Sequence, residues 1–318
     1  MKLKEITIMQ HHKGIHHITV LAGDALRNVD FYTQVLGMRL VKKSVNQDDP
    51  GTYHLFYGNH SANPGSSLTF FPWPNAVKGE PGTGEAVNVG LQVPEKSASF
   101  WNERLKKYEI PFEEITIFGR NAYRFQDPDG LELDLVFEGS AKEKVDNVEY
   151  VIPAEVCIQG FWGTRLNLTE KQGTEFILKE LFEFELKEEQ GNQYLYQTDA
   201  PVGHSVIIEI SEEKRGKNGR GIIHHVAFRA ENREELDEMR KTIGGFGLHP
   251  TQIIDRHWFR SVYYREPGGV LFEMASDDPG YTVDEEFEML GEKLILPPWL
   301  ESKRSQIESI LPEINISS

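Results

Sequence analysis

Gly14-Ile-His-His-Ile-Thr-Val-Leu21 and Gly221-Ile-Ile-His-His-Val-Ala-Phe228 follow one plan: a glycine, then an apolar strand broken by a pair of histidines. Each is followed by a segment with helical spacing. After the first, Val29, Tyr32 and Leu36 recur on one face of a helix starting at about Asp24, and Gly37 stands where a C-terminal cap belongs. After the second, Leu236, Met239 and Ile243 do the same. Two further segments share the plan without the histidines. One opens with Ala86-Val-Asn-Val-Gly-Leu-Gln-Val93 and has Ser97 as N-cap for a helix carrying Phe100, Trp101, Leu105 and Tyr108; the other opens with Gly160-Phe-Trp-Gly-Thr-Arg-Leu-Asn-Leu168. Each unit closes with short strands. The closing turns of units two and four align as Asp127-Pro128-Asp129-Gly130 and Glu266-Pro267-Gly268-Gly269. A fourfold repeat of strand, helix and strands makes an α+β protein of four βαβββ units.

The polar stretch from Gly139 to Asn147 divides the units into an N-terminal pair at 14–139 and a C-terminal pair at 150–277. Residues 278–318 lie outside the repeat. They are expected to add a helical stretch from Val283 to Leu294, a Pro297-Pro298 break and a second helical stretch to Leu311. The Gly79–Gly84 loop lacks the leading strand and following helix of a phosphate loop and reads as a linker. Ser211–Gly221 reads as a solvated loop.

The 318 residues carry 34 basic and 50 acidic side chains, a net charge of −16, which disfavours nucleic acids and anionic membranes as partners. A single cysteine, Cys157, excludes an internal disulfide framework and a cysteine-rich zinc module. No apolar run is long enough to span a bilayer, and Met1–Gln10 is too short and too charged for a secretory signal. A soluble cytoplasmic protein, expected as a homo-oligomer, is the default.

Strand alternation sorts the histidines. His17 and Thr19 fall on one face of the opening strand, and His16 falls with Ile18 and Val20 on the other; in unit four His225 opposes His224 in the same way. His17 and His225 therefore face the same kind of concavity. Glu273 alternates with Phe272 and Met274 in an apolar strand, where a lone carboxylate is costly unless it is paired or binds a metal. Two imidazoles and one carboxylate form a facial triad with open positions, suited to non-haem Fe(II), with Mn(II) also accepted. His11 and His12 are expected at the surface, and His54, His60, His204 and His249 show no partner pattern.

The repeat resembles the vicinal oxygen chelate superfamily of glyoxalases, bleomycin-resistance proteins and extradiol dioxygenases, over about residues 14–277. Val262-Tyr263, Glu266-Pro267, Gly269 and Glu273 are similar to the closing signature of the extradiol ring-cleaving enzymes. The resemblance implies two tandem glyoxalase-like domains with a C-terminal extension. Catechol-cleaving members take their first metal histidine from unit three, but aligning Gly14 with Gly160 sets Gly163 opposite His17. The ligand from unit one, the Ile-His-His-Ile-Thr strand and Asp30–Lys43 resemble instead the dioxygenases that open hydroquinone (1,4-diol) rings.

That resemblance implies metal ligands at His17, His225 and Glu273, and catalytic roles for Tyr263, Arg256 and His224. It implies substrate contacts at His16 and Thr19. His257 is the nearest residue to the signature's upstream histidine and is assigned to the same pocket. Plainer readings stand beside these: an ordinary strand tyrosine at 263, a salt bridge from Arg256 to Asp255, and histidines 16 and 224 facing away from the metal unless a bulge breaks the alternation. Units one and four are expected to share the metal-bearing cavity. Units two and three are expected to form a matching one with Asn88, Asp134 and Gly163, left empty. The alternatives are a glyoxalase-like isomerase or lyase, which needs a fourth protein ligand where the unit-one level near Leu68–Phe71 reads as apolar, and a metal-free binding protein.

Overall fold

A computed structural model describes residues 13–142 and 144–314. The N-terminal leader reading and His11 and His12 lie outside the described residues. Unit one consists of β1 (Ile15–Ala22), α1 (Ala25–Asp30), β2 (Arg39–Val45), β3 (Tyr53–Gly58) and β4 (Ser67–Pro72). Unit two holds β5 (Glu85–Val93), α2 (Ala98–Lys107), β6 (Phe112–Ile117), β7 (Arg120–Gln126) and β8 (Glu132–Phe137). Unit three holds β9 (Gly160–Leu168), α3 (Gln172–Glu180), β10 (Glu185–Gln190), β11 (Gln193–Gln197) and β12 (Ser205–Ile210). Unit four holds β13 (Ile223–Ala230), α4 (Arg233–Gly245), β14 (Ile254–Asp255), β15 (Arg260–Arg265) and β16 (Leu271–Ser276), and α5 (Arg304–Ile310) follows in the extension.

In every unit the first strand pairs in parallel with the last, across the helix that connects them. The units then join in crossed pairs. One eight-stranded sheet runs β14-β15-β16-β13-β1-β4-β3-β2 and unites units four and one; the other runs β10-β11-β12-β9-β5-β8-β7-β6 and unites units three and two. The central seam of each is antiparallel, β1 with β13 and β5 with β9.

One face of each sheet carries the aliphatic residues, among them Ile18, Val20, Val226 and Phe272, into a single apolar cluster beneath the helices. Leu236, Met239 and Ile243 of α4 reach that cluster, and Asn232 caps the helix by accepting from the Glu235 amide at 3.0 Å. The opposite faces are concave. The two closing turns match to the backbone: Asp127 accepts from the amides of Asp129 and Leu131, and Glu266 from those of Gly268 and Val270. Gly130 and Gly269 sit at φ +96° and +97°, a region that only glycine enters without strain.

Two expectations are corrected. The first helix of unit one is α-helical only to Asp30 and continues as a π-turn over Phe31–Val35, although Val29, Tyr32 and Leu36 all reach the core as the spacing asks. In the extension, Val283–Leu294 forms no α-helix. It takes short 3₁₀ turns and then pairs with β2, Ile295 donating to the Lys43 carbonyl at 2.9 Å, so its backbone is satisfied by the sheet. The two linkers also pair, with Glu80 and Lys217 exchanging backbone bonds of 3.0 and 2.8 Å. No described helix is long and apolar enough to cross a membrane.

Candidate metal centre

The β1–β13 seam contains two bulges, and they decide the site. Ile15 faces Phe228 but His17 faces Ala227, so His16 is the extra residue on β1; Thr19 faces His225 but Val20 faces Ile223, so His224 is the extra residue on β13. A bulge breaks alternation and re-aims a side chain. The Nδ1 atoms of His16 and His17 lie 2.9 Å apart, and those of His224 and His225 lie 2.8 Å apart. His16 and His224 do not line the cavity that His17 and His225 enter, but each is bonded to its neighbour and fixes that ring.

With Nδ1 engaged, each of His17 and His225 turns Nε2 into the concavity, where the two atoms are 3.2 Å apart. Glu273 on β16 brings Oε2 to 3.2 Å from His17 Nε2 and 2.9 Å from His225 Nε2. These ligand atoms all lie within 4.8 Å of one another, and all three residues are buried. Ser261 donates to Glu273 Oε1, which orients the carboxylate. Glu273 Oε2 is buried yet makes no well-formed hydrogen bond. An unsatisfied carboxylate oxygen converging on two imidazole nitrogens is the arrangement a cation would complete. Burial disfavours the charge on Glu273, but the two imidazoles overcome it and hold the carboxyl well below the usual range. Burial pushes His225 down, toward the neutral form that ligates metal.

The unit-one position equivalent to Glu273 is now fixed by register. Glu273 pairs with Ala227, two residues after His225; the counterpart, two residues after His17, is Thr19, which pairs with Thr69. That level was read as apolar. It carries a hydroxyl, which accepts or donates to Thr19 Oγ1 at 2.8 Å, and no carboxylate. The donor set is three protein side chains with open positions.

Above the ligands is a small cavity lined by Asn46, Gln47, Asp48, His54, Phe56, Phe71, Arg256, Trp258, Phe259 and Tyr263 as well as His17 and His225. Tyr263 stands directly across from Glu273 in the β15–β16 ladder, its ring 5.5 Å from that of His225. Burial, then the charge of Glu273, raises its phenol above the ordinary range, so it keeps its proton.

Residues 14–135 and 161–274 match the family described as the glyoxalase/bleomycin resistance protein/dioxygenase superfamily. The chain belongs to this superfamily. A protein of Bacillus subtilis (strain 168) named as the ring-cleaving dioxygenase MhqE is 42% identical over 95% of this chain and 99% of its own length. A chlorohydroquinone/hydroquinone 1,2-dioxygenase of Sphingobium indicum is 31% identical over 93% of this chain and 94% of its own. A solved structure assigned as a Bacillus subtilis dioxygenase superposes with a TM-score of 0.91 at 36% identity, covering 96% of this chain and 98% of that one.

Within this superfamily fold, the remaining expected residues divide. Thr19 is buried beside His17. Arg256 lines the cavity with its guanidinium 5.6 Å from the Tyr263 ring centre, and its ion pair is with Asp48 at 3.0 Å, where Asp255 was the plainer reading. His257 does not line the cavity. Its backbone is at φ +76° and its Nε2 lies 2.8 Å from Asp284 of the extension, so its assignment to the substrate pocket is corrected. Asp284 also accepts from Trp258 Nε1 at 2.8 Å and pairs at 2.7 Å with Lys42, whose side chain is wholly buried. Tyr281 of the same segment packs with Phe56 and Trp258. The extension thus backs the cavity wall.

Sequence reasoning gave no role to His54, and it missed the Asn46–Asp48 turn. Alternation in β3 held a signal, since Leu55 and Tyr57 are core residues and His54 and Phe56 must take the concave face.

Proposed function

We propose that this protein opens hydroquinone-type aromatic rings with dioxygen, using ferrous iron held by His17, His225 and Glu273. The unsatisfied, buried Glu273 Oε2 facing two oriented imidazole nitrogens carries the reading. The named activities of the two relatives supply the reaction class. Iron at this site would offer open positions to a ring oxygen and to dioxygen and lower the pKa of the bound hydroxyl.

The chain's own residues do the rest. Phe56, Phe71, Trp258 and Phe259 hold the ring flat against apolar walls and exclude water. Tyr263, kept protonated, donates its hydroxyl hydrogen to the oxygen nearest the ligands. Arg256, anchored by Asp48, faces the negative charge that develops as the ring opens into a carboxylic acid. His16 and His224 accept the Nδ1 proton of His17 and His225, the tautomer that leaves each Nε2 free. In the overall reaction one carbon–carbon bond beside a hydroxyl-bearing carbon breaks, and both oxygen atoms enter the product.

The test is oxygen uptake by protein reconstituted with Fe(II) in the absence of air, with methylhydroquinone and catechol in parallel and His225→Ala as control. Uptake with methylhydroquinone, absent from the control, is expected. Uptake with catechol alone would overturn the 1,4-diol assignment, and no uptake despite bound iron would overturn ring cleavage.

A further inference from the structure

The cavity above the metal ligands is walled by aromatic rings, and the polar group that enters it from β3 is His54. His54 sits between Phe56 and Phe71, ring centres 3.9 and 4.4 Å away, which fixes its plane. Its Nε2 is 3.0 Å from Thr69 Oγ1, and Thr69 is in turn bonded to Thr19. Thr69 occupies the unit-one position that corresponds to Glu273 in unit four. Where one half of the sheet places a metal ligand, the other half places a hydroxyl that orients an imidazole. Among the described residues nothing pairs with His54 Nδ1.

β3 lies two strands from β1, on the side of the sheet away from β13 and β16, so His54 enters the cavity from the flank opposite the strand that carries Glu273. A catechol places both of its hydroxyls at the metal end of the ring. A 1,4-diol carries its second hydroxyl on the far side of the ring. We infer that His54 is the hydrogen-bonding partner of the distal hydroxyl of the substrate, and that it selects rings with a hydroxyl opposite the metal-bound one. This rests on the ring-cleavage reading and assigns the substrate class within it.

The test pairs a side chain with a ligand group. The iron-loaded protein, kept free of oxygen, is titrated with hydroquinone and with phenol, which lacks the distal hydroxyl, and binding is followed by calorimetry. The wild-type protein, His54→Phe and His54→Gln are compared, with iron content measured for each. His54→Phe preserves a ring between Phe56 and Phe71 but has no polar atom. It is expected to weaken hydroquinone about tenfold and leave phenol unchanged, with iron content intact. His54→Gln, which keeps a donor and an acceptor, is expected to recover part of that loss. Equal weakening of both ligands in His54→Phe would overturn the assignment by showing that the histidine serves only packing. No change for either would overturn it by sending the distal hydroxyl elsewhere. Wild-type protein that binds neither ligand would overturn the ring-cleavage reading itself and the role of His54 with it.

Discussion

In the sheet formed by units one and four, the seam and the strand beside it carry His17, His225 and Glu273. In the sheet formed by units two and three, the same register positions carry Gly163, Asn88 and Asp134. The bulges recur as well: Trp162 stands where His16 does, and Val87 where His224 does. Even the residue across from the carboxylate is matched, Tyr263 in one sheet and Arg124 in the other. Arg124 grips Asp134 with two bonds of 2.8 Å, Asn88 adds a third at 3.0 Å, and Trp162 packs the rest with Val136 and Ile207. In the second concavity, which has no imidazole at the matching positions to offer a metal, the side chains bond and pack with one another. The bulged seam is thus common to both sheets, and what differs is the side chains on it: two imidazoles in one, a glycine and an asparagine in the other. Glu273 Oε2 is left without a hydrogen bond, whereas both oxygens of Asp134 are held by Arg124.

The comparison breaks most visibly at the carboxylates. Glu273→Ala is expected to abolish both iron retention and oxygen uptake. Asp134→Asn is expected to keep both per folded molecule while losing about 2 kcal/mol of stability, because Arg124 loses its partner. Iron content and urea midpoints measured on the two variants check this, and iron loss in Asp134→Asn would show that the second concavity matters to the site.

Gly163 sharpens the contrast. A Cβ there would stand 2.0 Å from the Ser205 carbonyl oxygen, so the position that matches His17 has no room for any side chain. Gly163→Ala is expected to cost about 3 kcal/mol, seen as a lowered thermal midpoint, with iron content unchanged. A neutral effect would mean that the β9–β12 spacing relaxes freely.

The smallest effect is in pH. The first concavity buries histidines: burial pushes His224 down to about 4 and lowers His16, His54 and His225 as well. In the unfolded chain a histidine takes up its proton near pH 6.5. Between about pH 6.5 and 4 the unfolded state therefore binds more protons, and stability falls as pH falls through that window. Urea midpoints of chelator-treated protein between pH 7 and 5 should decline, and His224→Gln should flatten the decline. An unchanged slope would assign it to histidines elsewhere, such as His60, also pushed down to about 4 by burial.

The repeat, the α+β architecture and the face of each opening strand were legible because they are local. Period-two alternation and a turn such as Glu266-Pro267-Gly268-Gly269 need no knowledge of the partner strand. Alternation set His17, His225 and Glu273 on concave faces, and the Gly163 alignment agrees with the observed register. The bonds from His16 and His224 to the neighbouring rings were not legible, since a bulge is created by two strands in register and exists in neither sequence alone. His257 was misplaced for a similar reason: its spacing to Tyr263 was near the signature, but a partner in the extension, Asp284, holds it.

The sequence by itself determined which residues could ligate a metal and which half of the molecule would hold them, because strand periodicity and residue chemistry act over a few residues. Only the tertiary structure decided how the cavity is walled. His54 reaches it because β4 and β3 extend the sheet beyond β1. Arg256 is held by Asp48 from 208 positions away, and Trp258 by a buried hub joining Lys42 to the C-terminal extension. Such contacts depend on which strands and segments meet, and that is set by burying the common core rather than by any pattern along the chain.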